Sequence, residues 1–259
     1  MKNIIKNTLF IFLSAVILSG CGDGGLLPTS IPESLPESES GSGSTVNVQT
    51  PAVPPVPLPD PLTGDYSLKE CMEMSKGTKF ERSDMHKTLL VQETFDGTMA
   101  FGAILLRPDD TRVHGWYRGI YQNTDLSTES LGERAYDQMG NLLTTSIRSI
   151  SFPLDAPLNQ SETYRYMQVT TTVGPPPVTS QSAHFWDIGF AGFETLTLGG
   201  RRFDNVCIFQ AVEHRKRAEV HWFWFAKGFG EIKRELRDTQ GVKVPNSPGF
   251  ELTRIITAP

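Results

Sequence analysis

Five histidines and three cysteines are the side chains of this 259-residue sequence that catalysis or metal binding would most readily use. None belongs to a motif with a known mechanism: the sequence lacks His-Glu-x-x-His, Gly-x-Ser-x-Gly, a phosphate-binding loop and a dinucleotide-binding fingerprint. We therefore expect no catalytic residue, no metal site and no cofactor. Because catalytic triads are assembled in space rather than along the chain, a hydrolase stays open as an alternative.

Two histidines lie near a predicted turn. His214 and His221 are seven residues apart, and Glu213 adjoins His214, which is a conceivable set of metal ligands. However, His214 opens the run His-Arg-Lys-Arg, whose positive charge opposes the binding of a cation. A solvated turn is therefore the favoured interpretation.

The other three histidines have no partner at a useful spacing. Asp187 follows His184 by three positions in a predicted strand, which places the two side chains on opposite faces of the sheet. His86 and His114 have no acid or nucleophile at a spacing that indicates catalysis. Exposed turn or strand positions are expected for both.

The first 20 residues are typical of a bacterial lipoprotein signal peptide. Two lysines precede an apolar run over residues 9–18. The segment Leu18-Ser19-Gly20-Cys21 then matches the lipobox, in which the cysteine thiol receives a diacylglycerol before cleavage. An ordinary signal peptide with a chance cysteine, or a short transmembrane anchor, is the alternative.

Lipidation of Cys21 predicts where the protein resides. Acyl chains such as palmitate on this cysteine would hold the protein to a membrane without spanning it. Gly22 follows the cysteine, whereas aspartate at that position retains enteric lipoproteins in the inner membrane. We expect a lipid-anchored envelope protein, at the outer membrane and facing the periplasm.

Residues 21–62 are predicted to be a disordered tether. This segment contains nine of the 18 prolines and no aromatic residue, so it cannot bury enough apolar surface to fold. Its proline-rich part over residues 51–61 favours extended polyproline II, at about 3.1 Å per residue. A ligand for a proline-recognition domain is the less favoured alternative.

The remaining residues, 63–259, are nearly neutral. They hold 22 basic and 24 acidic residues with no basic stripe, which argues against binding to nucleic acid. Beyond the N-terminus, no apolar run approaches the roughly 20 residues that span a bilayer.

Residues 63–259 are predicted to form one β-rich domain. A capping-box pattern begins a short helix over Ser67–Lys76, and Gly77 ends it. Strand-like runs bounded by turn residues follow, which predicts an antiparallel sheet curved into a half-barrel or barrel, or folded into a sandwich. The predicted strands are 88–94, 98–107, 112–122, 142–152, 164–173, 183–198, 202–212, 217–226, 230–236 and 250–257.

One predicted strand is apolar on both faces. Trp222, Phe223, Trp224 and Phe225 follow one another without polar alternation, so both faces of this strand should be covered. The main core would cover one face. The N-terminal helix is favoured as the cover of the other, and a lipophilic ligand is the alternative.

Two cysteines remain once Cys21 is lipidated. In an oxidising periplasm an even number suggests a disulfide, here between Cys71 and Cys207. Closing so long a loop would stabilise the fold by roughly 5 kcal/mol in the chain-entropy model. Two buried free thiols are the alternative.

Residues 188–236 resemble the C-terminal hairpins of poorly characterised bacterial envelope proteins. The matching segments are Glu194-Thr195-Leu196-Thr197, the strand from Phe203 to Cys207, and the strand from Trp224 to Lys233. In those proteins Pro-Ala-Gly stands at the turn where this chain has Gly199-Gly200-Arg201, and Tyr replaces Phe225. The shared residues shape strands and turns, so the resemblance implies no catalytic residue.

A helix followed by a curved sheet behind a lipobox is also similar, at the level of fold, to half-barrel lipoprotein carriers of the outer membrane. In those carriers the concave face holds acyl chains. We therefore expect a non-catalytic envelope lipoprotein that binds an apolar ligand or an envelope protein. A structural or assembly lipoprotein without a ligand is the first alternative, and an envelope hydrolase is less favoured.

Overall fold

The structure, a computed structural model, describes residues 67–120 and 127–259. The signal peptide, Cys21 and the tether lie outside the described residues. Within them are α1 (Leu68–Met72) and twelve strands. The strands are β1 (Lys79–Arg82), β2 (Lys87–Phe95), β3 (Thr98–Leu106), β4 (Arg112–Gly119), β5 (Ser127–Tyr136), β6 (Leu142–Pro153), β7 (Ser161–Thr172), β8 (Thr179–Leu198), β9 (Arg201–Glu213), β10 (Glu219–Ala226), β11 (Gly230–Asp238) and β12 (Phe250–Thr257). No helix in this part of the chain is long and apolar enough to cross a membrane.

The strands form a closed antiparallel barrel. Each pairs with its neighbours in the chain, and the first strand pairs with the last, Lys79 with Thr257 and Arg82 with Leu252. The predicted antiparallel, mainly β fold is confirmed, but the half-barrel interpretation is wrong. The reason is β1, a four-residue strand too short to be recognised in the sequence, which supplies the pairing that closes the ring.

Strand β5 was also not predicted. Its residues Ser127–Tyr136 include two glutamates, an arginine and Gly132, so the alternation of polar and apolar side chains is interrupted. Gly132 sits at a register shift in this strand with φ of 146°, where an added Cβ would lie 2.0 Å from the Ser146 carbonyl oxygen. A bulge that only glycine fits therefore hides this strand from sequence analysis.

Contacts across the ring identify the inner face of the barrel. The Arg234 guanidinium of β11 lies 5.7 Å from the Trp116 ring centroid of β4, although four strands separate β11 from β4 along the ring. Because paired residues of antiparallel strands point to the same face, the registers extend this assignment to every strand. Inward-facing residues include His114, Trp116, Glu133, Arg148, Gln168, His184, Trp186, Phe190, Cys207, Phe209, Phe223, Phe225 and Arg234.

Helix α1 packs against this inner face. A disulfide joins Cys71 to Cys207 of β9, with the two Cα atoms 5.9 Å apart, as the sequence suggested. Leu68 and Cys71 are buried against a cluster that includes Phe190 and Phe225. On the opposite side of the ring, the Arg118 guanidinium donates a hydrogen bond to the carbonyl oxygen of the last helical residue. The helix therefore covers part of the barrel interior.

The helix is half as long as predicted. It ends at Met72 because Glu73 is extended, with ψ of 134°, and the next residue, Met74, forms backbone bridges to Gly228 and Phe229. Ser67 lies at the N-cap but makes no capping hydrogen bond with its side chain, so the predicted capping box is wrong. Pairing with the β10–β11 turn outweighs the local preference for helix.

Candidate functional site

A gap between two neighbouring strands creates the candidate site. The backbone ladder between β6 and β7 covers four residue pairs, from Thr144 with Thr172 to Ile147 with Val169. Beyond this ladder, described side-chain contacts connect the two strands: Arg148 Nη1 donates to Gln168 Oε1 at 3.3 Å, and the rings of Phe152 and Tyr164 are 5.2 Å apart. The separation of the strands opens a cleft toward the barrel interior.

The cleft is predominantly apolar. Its volume of about 340 Å³ includes open solvent, so the cleft is an open depression rather than an enclosed cavity. Its walls are mainly aromatic and aliphatic and include Phe152, Ala156, Tyr164, Ile188, Phe190 and Phe209. Phe190 also contacts the N-terminal helix, so one wall of the cleft is part of the cluster around the disulfide.

The β6–β7 loop forms a side of the cleft. The Asn159 amide donates to the Phe190 carbonyl oxygen at 2.8 Å, and Leu158 forms a parallel bridge with the same residue. These bonds hold the loop, with Ala156 and Pro157, against β8. The cleft is therefore framed on that side by hydrogen-bonded backbone.

Polar groups are confined to the rim of the cleft. The Tyr164 hydroxyl donates to Glu162 Oε2 at 3.0 Å, and Gln160 lies beside them. Burial and the hydrogen bond to Glu162 raise the pKa of Tyr164, so the phenol keeps its proton at neutral pH. The rim thus presents a carboxylate that is oriented by a tyrosine.

Farther along the same strands, the inner face becomes polar. Glu133 of β5 is 8% exposed and contacts His114 Nε2 at 3.3 Å, Gln168 Nε2 at 3.4 Å and Arg148 Nη1 at 3.8 Å. Burial raises the pKa of the Glu133 carboxyl, but the hydrogen bond from His114 and the charge of Arg148 lower it by a larger amount. The pKa of Glu133 therefore lies below its ordinary value. We call these four residues the Glu133 cluster.

A serine and a histidine also lie together on β8. Ser182 Oγ is 2.7 Å from His184 Nε2, and the His184 ring stacks on Tyr166 with the centroids 5.1 Å apart. Burial and the positive charge of Arg148 lower the pKa of His184, which is 3% exposed, so the imidazole is neutral at pH 7. Among the described residues, no hydrogen-bond partner reaches its Nδ1.

Three histidines have acidic partners that sequence spacing did not indicate. His114 meets Glu133, His86 Nδ1 lies 3.6 Å from Asp84, and His214 Nε2 lies 2.9 Å from Asp187. The expectation that His114 is an exposed residue without an acid is wrong, because its partner comes from the neighbouring strand. Knowledge of the β4–β5 register would have revealed this pair.

The remaining histidine is enclosed by rings. His221 packs edge-on against Trp186 at 5.5 Å and stacks on Phe223 at 6.2 Å. Burial, together with the charges of Arg234 and Lys216, lowers the pKa of His221 to about 4. It is therefore neutral at physiological pH and belongs to the aromatic lining of the barrel. His221 and His214 do not form a metal site with Glu213, since the described residues contain no group of three metal-ligating side chains.

The four aromatic residues of β10 divide between the two faces. Phe223 and Phe225 point inward, and Phe225 packs with helix α1, which was the favoured cover of that face. Trp222 and Trp224 lie on the other face, with Arg237 Cζ 4.4 Å and Lys233 Nζ 4.7 Å from their respective ring centroids. None of the four lines the cleft.

The face of β10 that carries Trp222 and Trp224 is covered in part by charged side chains. Lys233 and Arg237 lie on the neighbouring strand, with their charged groups over the indole rings. The Trp224 Nε1 donates a hydrogen bond to Glu194 of β8. Both indoles also belong to a buried hydrophobic cluster that includes Val206, Ile208 and Ile232. Apolar packing and the charged side chains of adjacent strands therefore cover this face together.

Comparison with solved structures gives a distant match. No protein-family model and no curated protein matches the chain, so the envelope family suggested by residues 188–236 is not confirmed. A similar solved structure is the crystal structure of a candidate lipoprotein from Parabacteroides distasonis. The two proteins share 12% identity and a TM-score of 0.39, over 74% of this chain and 100% of the other. Values this low carry no conclusion about function.

Proposed function

We propose that the barrel is a non-catalytic binding module and that the cleft between β6 and β7 takes an apolar ligand. The observation that carries this proposal is an aromatic cleft left open to solvent at a place where the barrel wall separates. An apolar ligand that enters this cleft would gain free energy, because its surface and the aromatic walls would both leave water.

Filling the cleft from within tests this proposal. Ala156 lies on the cleft wall and is half-buried, so Ala156→Trp should occupy the space that a ligand would use. We expect the wild-type protein to bind N-phenyl-1-naphthylamine, a neutral apolar dye, with a saturable rise in fluorescence. Ala156→Trp should abolish that rise, while the melting temperature shows whether the barrel is intact.

A matched control places the same side chain elsewhere. Ala218 is exposed in the β9–β10 turn and does not line the cleft, so Ala218→Trp should leave dye binding unchanged. If the wild-type protein shows no saturable binding, the apolar-ligand proposal fails. The remaining explanation would then be a structural or assembly protein whose barrel takes no ligand.

We also propose that the module is attached to the bacterial envelope through a lipid on Cys21, at the outer membrane and facing the periplasm. The lipobox and the absence of aspartate after the cysteine support this placement. Cys21→Ser should release the protein from membranes and abolish incorporation of labelled palmitate. Continued labelling of that variant would show that another residue carries the lipid.

A second candidate function rests on one specific observation, the Ser182–His184 pair. A serine hydroxyl 2.7 Å from a neutral imidazole has the contact that a nucleophile and its general base require. However, Nδ1 of His184 has no carboxylate to orient the ring among the described residues, unlike the histidine of a catalytic triad. We therefore expect no reaction with a fluorophosphonate probe. Labelling that Ser182→Ala abolishes would establish a hydrolase instead.

A further inference from the structure

We propose that the ligand of the cleft between β6 and β7 carries a positively charged head on its apolar body, which makes it an alkyl- or arylammonium compound. This inference rests on the proposed function of the cleft and names the chemical class that the cleft selects. It follows from the charges around the cleft and from the type of side chain in its walls.

The segments that build the cleft are acidic. Residues 150–163, 185–194 and 205–213 together contain five carboxylates and no lysine or arginine. Arg165, the base next in sequence, is paired with Phe185 on the opposite face, and its guanidinium lies 5.7 Å from that ring. Asp187 contacts His214, and Glu194 accepts a hydrogen bond from Trp224, so neither acts in the cleft. Glu162 is the charged side chain among the residues that line it, and its negative charge favours a cationic ligand over an anionic one.

One carboxylate is placed where a ligand head would meet it. Glu162 lines the rim, and the hydroxyl of Tyr164 fixes one of its oxygens through the 3.0 Å hydrogen bond. A ligand whose body lies against Phe190 and Phe209 would direct its head past this carboxylate on the way to solvent. Glu162 would therefore act as the counter-ion that determines specificity.

The aromatic walls add a second attraction for a cation. Phe152 and Tyr164, whose rings are 5.2 Å apart, border the same opening as Glu162. Their π faces are negative, so an ammonium group beside them gains cation–π energy in addition to the charge of the carboxylate. A neutral head gains neither contribution, and a carboxylate head is repelled by both.

Three compounds with the same body test this inference. We would titrate the protein with 3-phenylpropylammonium, 3-phenylpropan-1-ol and 3-phenylpropanoate by NMR, following the amide signals of residues in the cleft. The ammonium compound should bind about tenfold more tightly than the alcohol, and the carboxylate should bind most weakly. Glu162→Gln should remove most of the difference between ammonium and alcohol.

A distant acid provides the control. Glu251 is exposed on β12, outside the cleft lining, and Glu251→Gln should leave all three affinities unchanged. If the alcohol binds as tightly as the ammonium compound in the wild-type protein, the proposed charge selection is wrong although the cleft still binds apolar ligands. If none of the three compounds nor the neutral dye binds, the proposed function fails as well.

Discussion

Two regions of the barrel interior are stabilised by opposite means. The region beneath helix α1 is apolar: the phenylalanines of β8, β9 and β10 pack around the disulfide between Cys71 and Cys207. The region between β4 and β7 is polar, and there the Glu133 cluster joins neighbouring strands through hydrogen bonds and ion pairs. The inner faces of β6, β7 and β8 extend from one region to the other.

The two regions need different conditions to remain stable. A cluster of rings around a disulfide needs an oxidising compartment. His221, which lies among the inward-facing rings of Trp186 and Phe223, must remain uncharged. The Glu133 cluster instead requires its carboxylate to remain charged, because only the anion satisfies His114 and Arg148 together. Acid should therefore destabilise both regions in different pH ranges, because it adds a charge to His221 and removes the charge of Glu133.

Removal of the disulfide should have the largest effect on stability. If it had none, the contrast between the two regions of the barrel interior would be wrong. Replacing both Cys71 and Cys207 by serine removes a link across 136 residues, which should lower the free energy of unfolding by roughly 2–5 kcal/mol. Urea denaturation followed by tryptophan fluorescence measures this change. Adding dithiothreitol to the wild-type protein should reproduce it, and an unchanged midpoint in both experiments would show that packing alone holds the helix.

The Glu133 cluster gives the next largest effect. Glu133→Gln keeps the shape but removes the charge, leaving His114 and Arg148 with a weaker partner, and should cost roughly 2–4 kcal/mol at pH 7. Gln168→Leu is a useful companion variant because it removes the neutral member and leaves every charge in place. We expect it to cost less than Glu133→Gln, as judged by urea denaturation of both proteins.

The pH dependence of that difference follows from the direction of the shift. The pKa of Glu133 is lower in the folded protein, so the stabilisation by its carboxylate is complete above the ordinary pKa of 4.5. It is lost as the pH falls through the folded-state pKa. The gap in stability between wild type and Glu133→Gln should therefore be constant from pH 8 to pH 5 and shrink in stronger acid, if the carboxylate is the cause.

The titration of His221 predicts an effect that begins at higher pH. Its pKa falls from an ordinary 6.5 to about 4 in the folded protein, so the unfolded state binds the proton first as acid is added. Stability should decrease from about pH 6.5 toward pH 4, with a slope of at most about 1.4 kcal/mol per pH unit. Thermal denaturation of His221→Phe should lack this slope, and an NMR titration of the histidines should give its pKa directly.

An exposed ion pair should have the smallest effect. Arg202 and Asp204 are in contact at 2.8 Å on the β8–β9 hairpin, but both side chains are more than half exposed. Solvent and salt screen such a pair, so Arg202→Ala should not change the melting temperature measurably. A clear loss of stability would mean that exposed charges matter as much as the buried Glu133 cluster.

Much of the fold could be predicted because local sequence patterns determine most of its strands. Turn residues and β-branched runs identified ten of the twelve strands, and an even count of cysteines indicated the disulfide. The two missed strands show the limit of this reasoning. Strand β1 is recognisable only through its pairing with β2 and β12, and β5 is recognisable only once the bulge at Gly132 is known.

The candidate site was less accessible to sequence analysis. The apolar run at Trp222–Phe225 attracted attention because its residues are consecutive, yet the cleft is lined by Phe152, Tyr164, Phe190 and Phe209, which come from four strands. Each is an ordinary strand residue by itself. Their association depends on where β6 and β7 stop pairing, and that is a property of register rather than of composition.

Because β1 and β12 close the barrel, its folding depends on the order in which the strands are synthesised. The ladder between these strands joins residues separated by about 170 positions, so the contact that completes the ring is also among the longest in sequence. Long-range pairing of this kind slows folding, because much of the chain must be ordered first. A polypeptide that is synthesised N-terminus first would keep β1 unpaired on one side until β12 was made. During that interval the two open edges could pair with other strands, which makes them natural contacts for a chaperone.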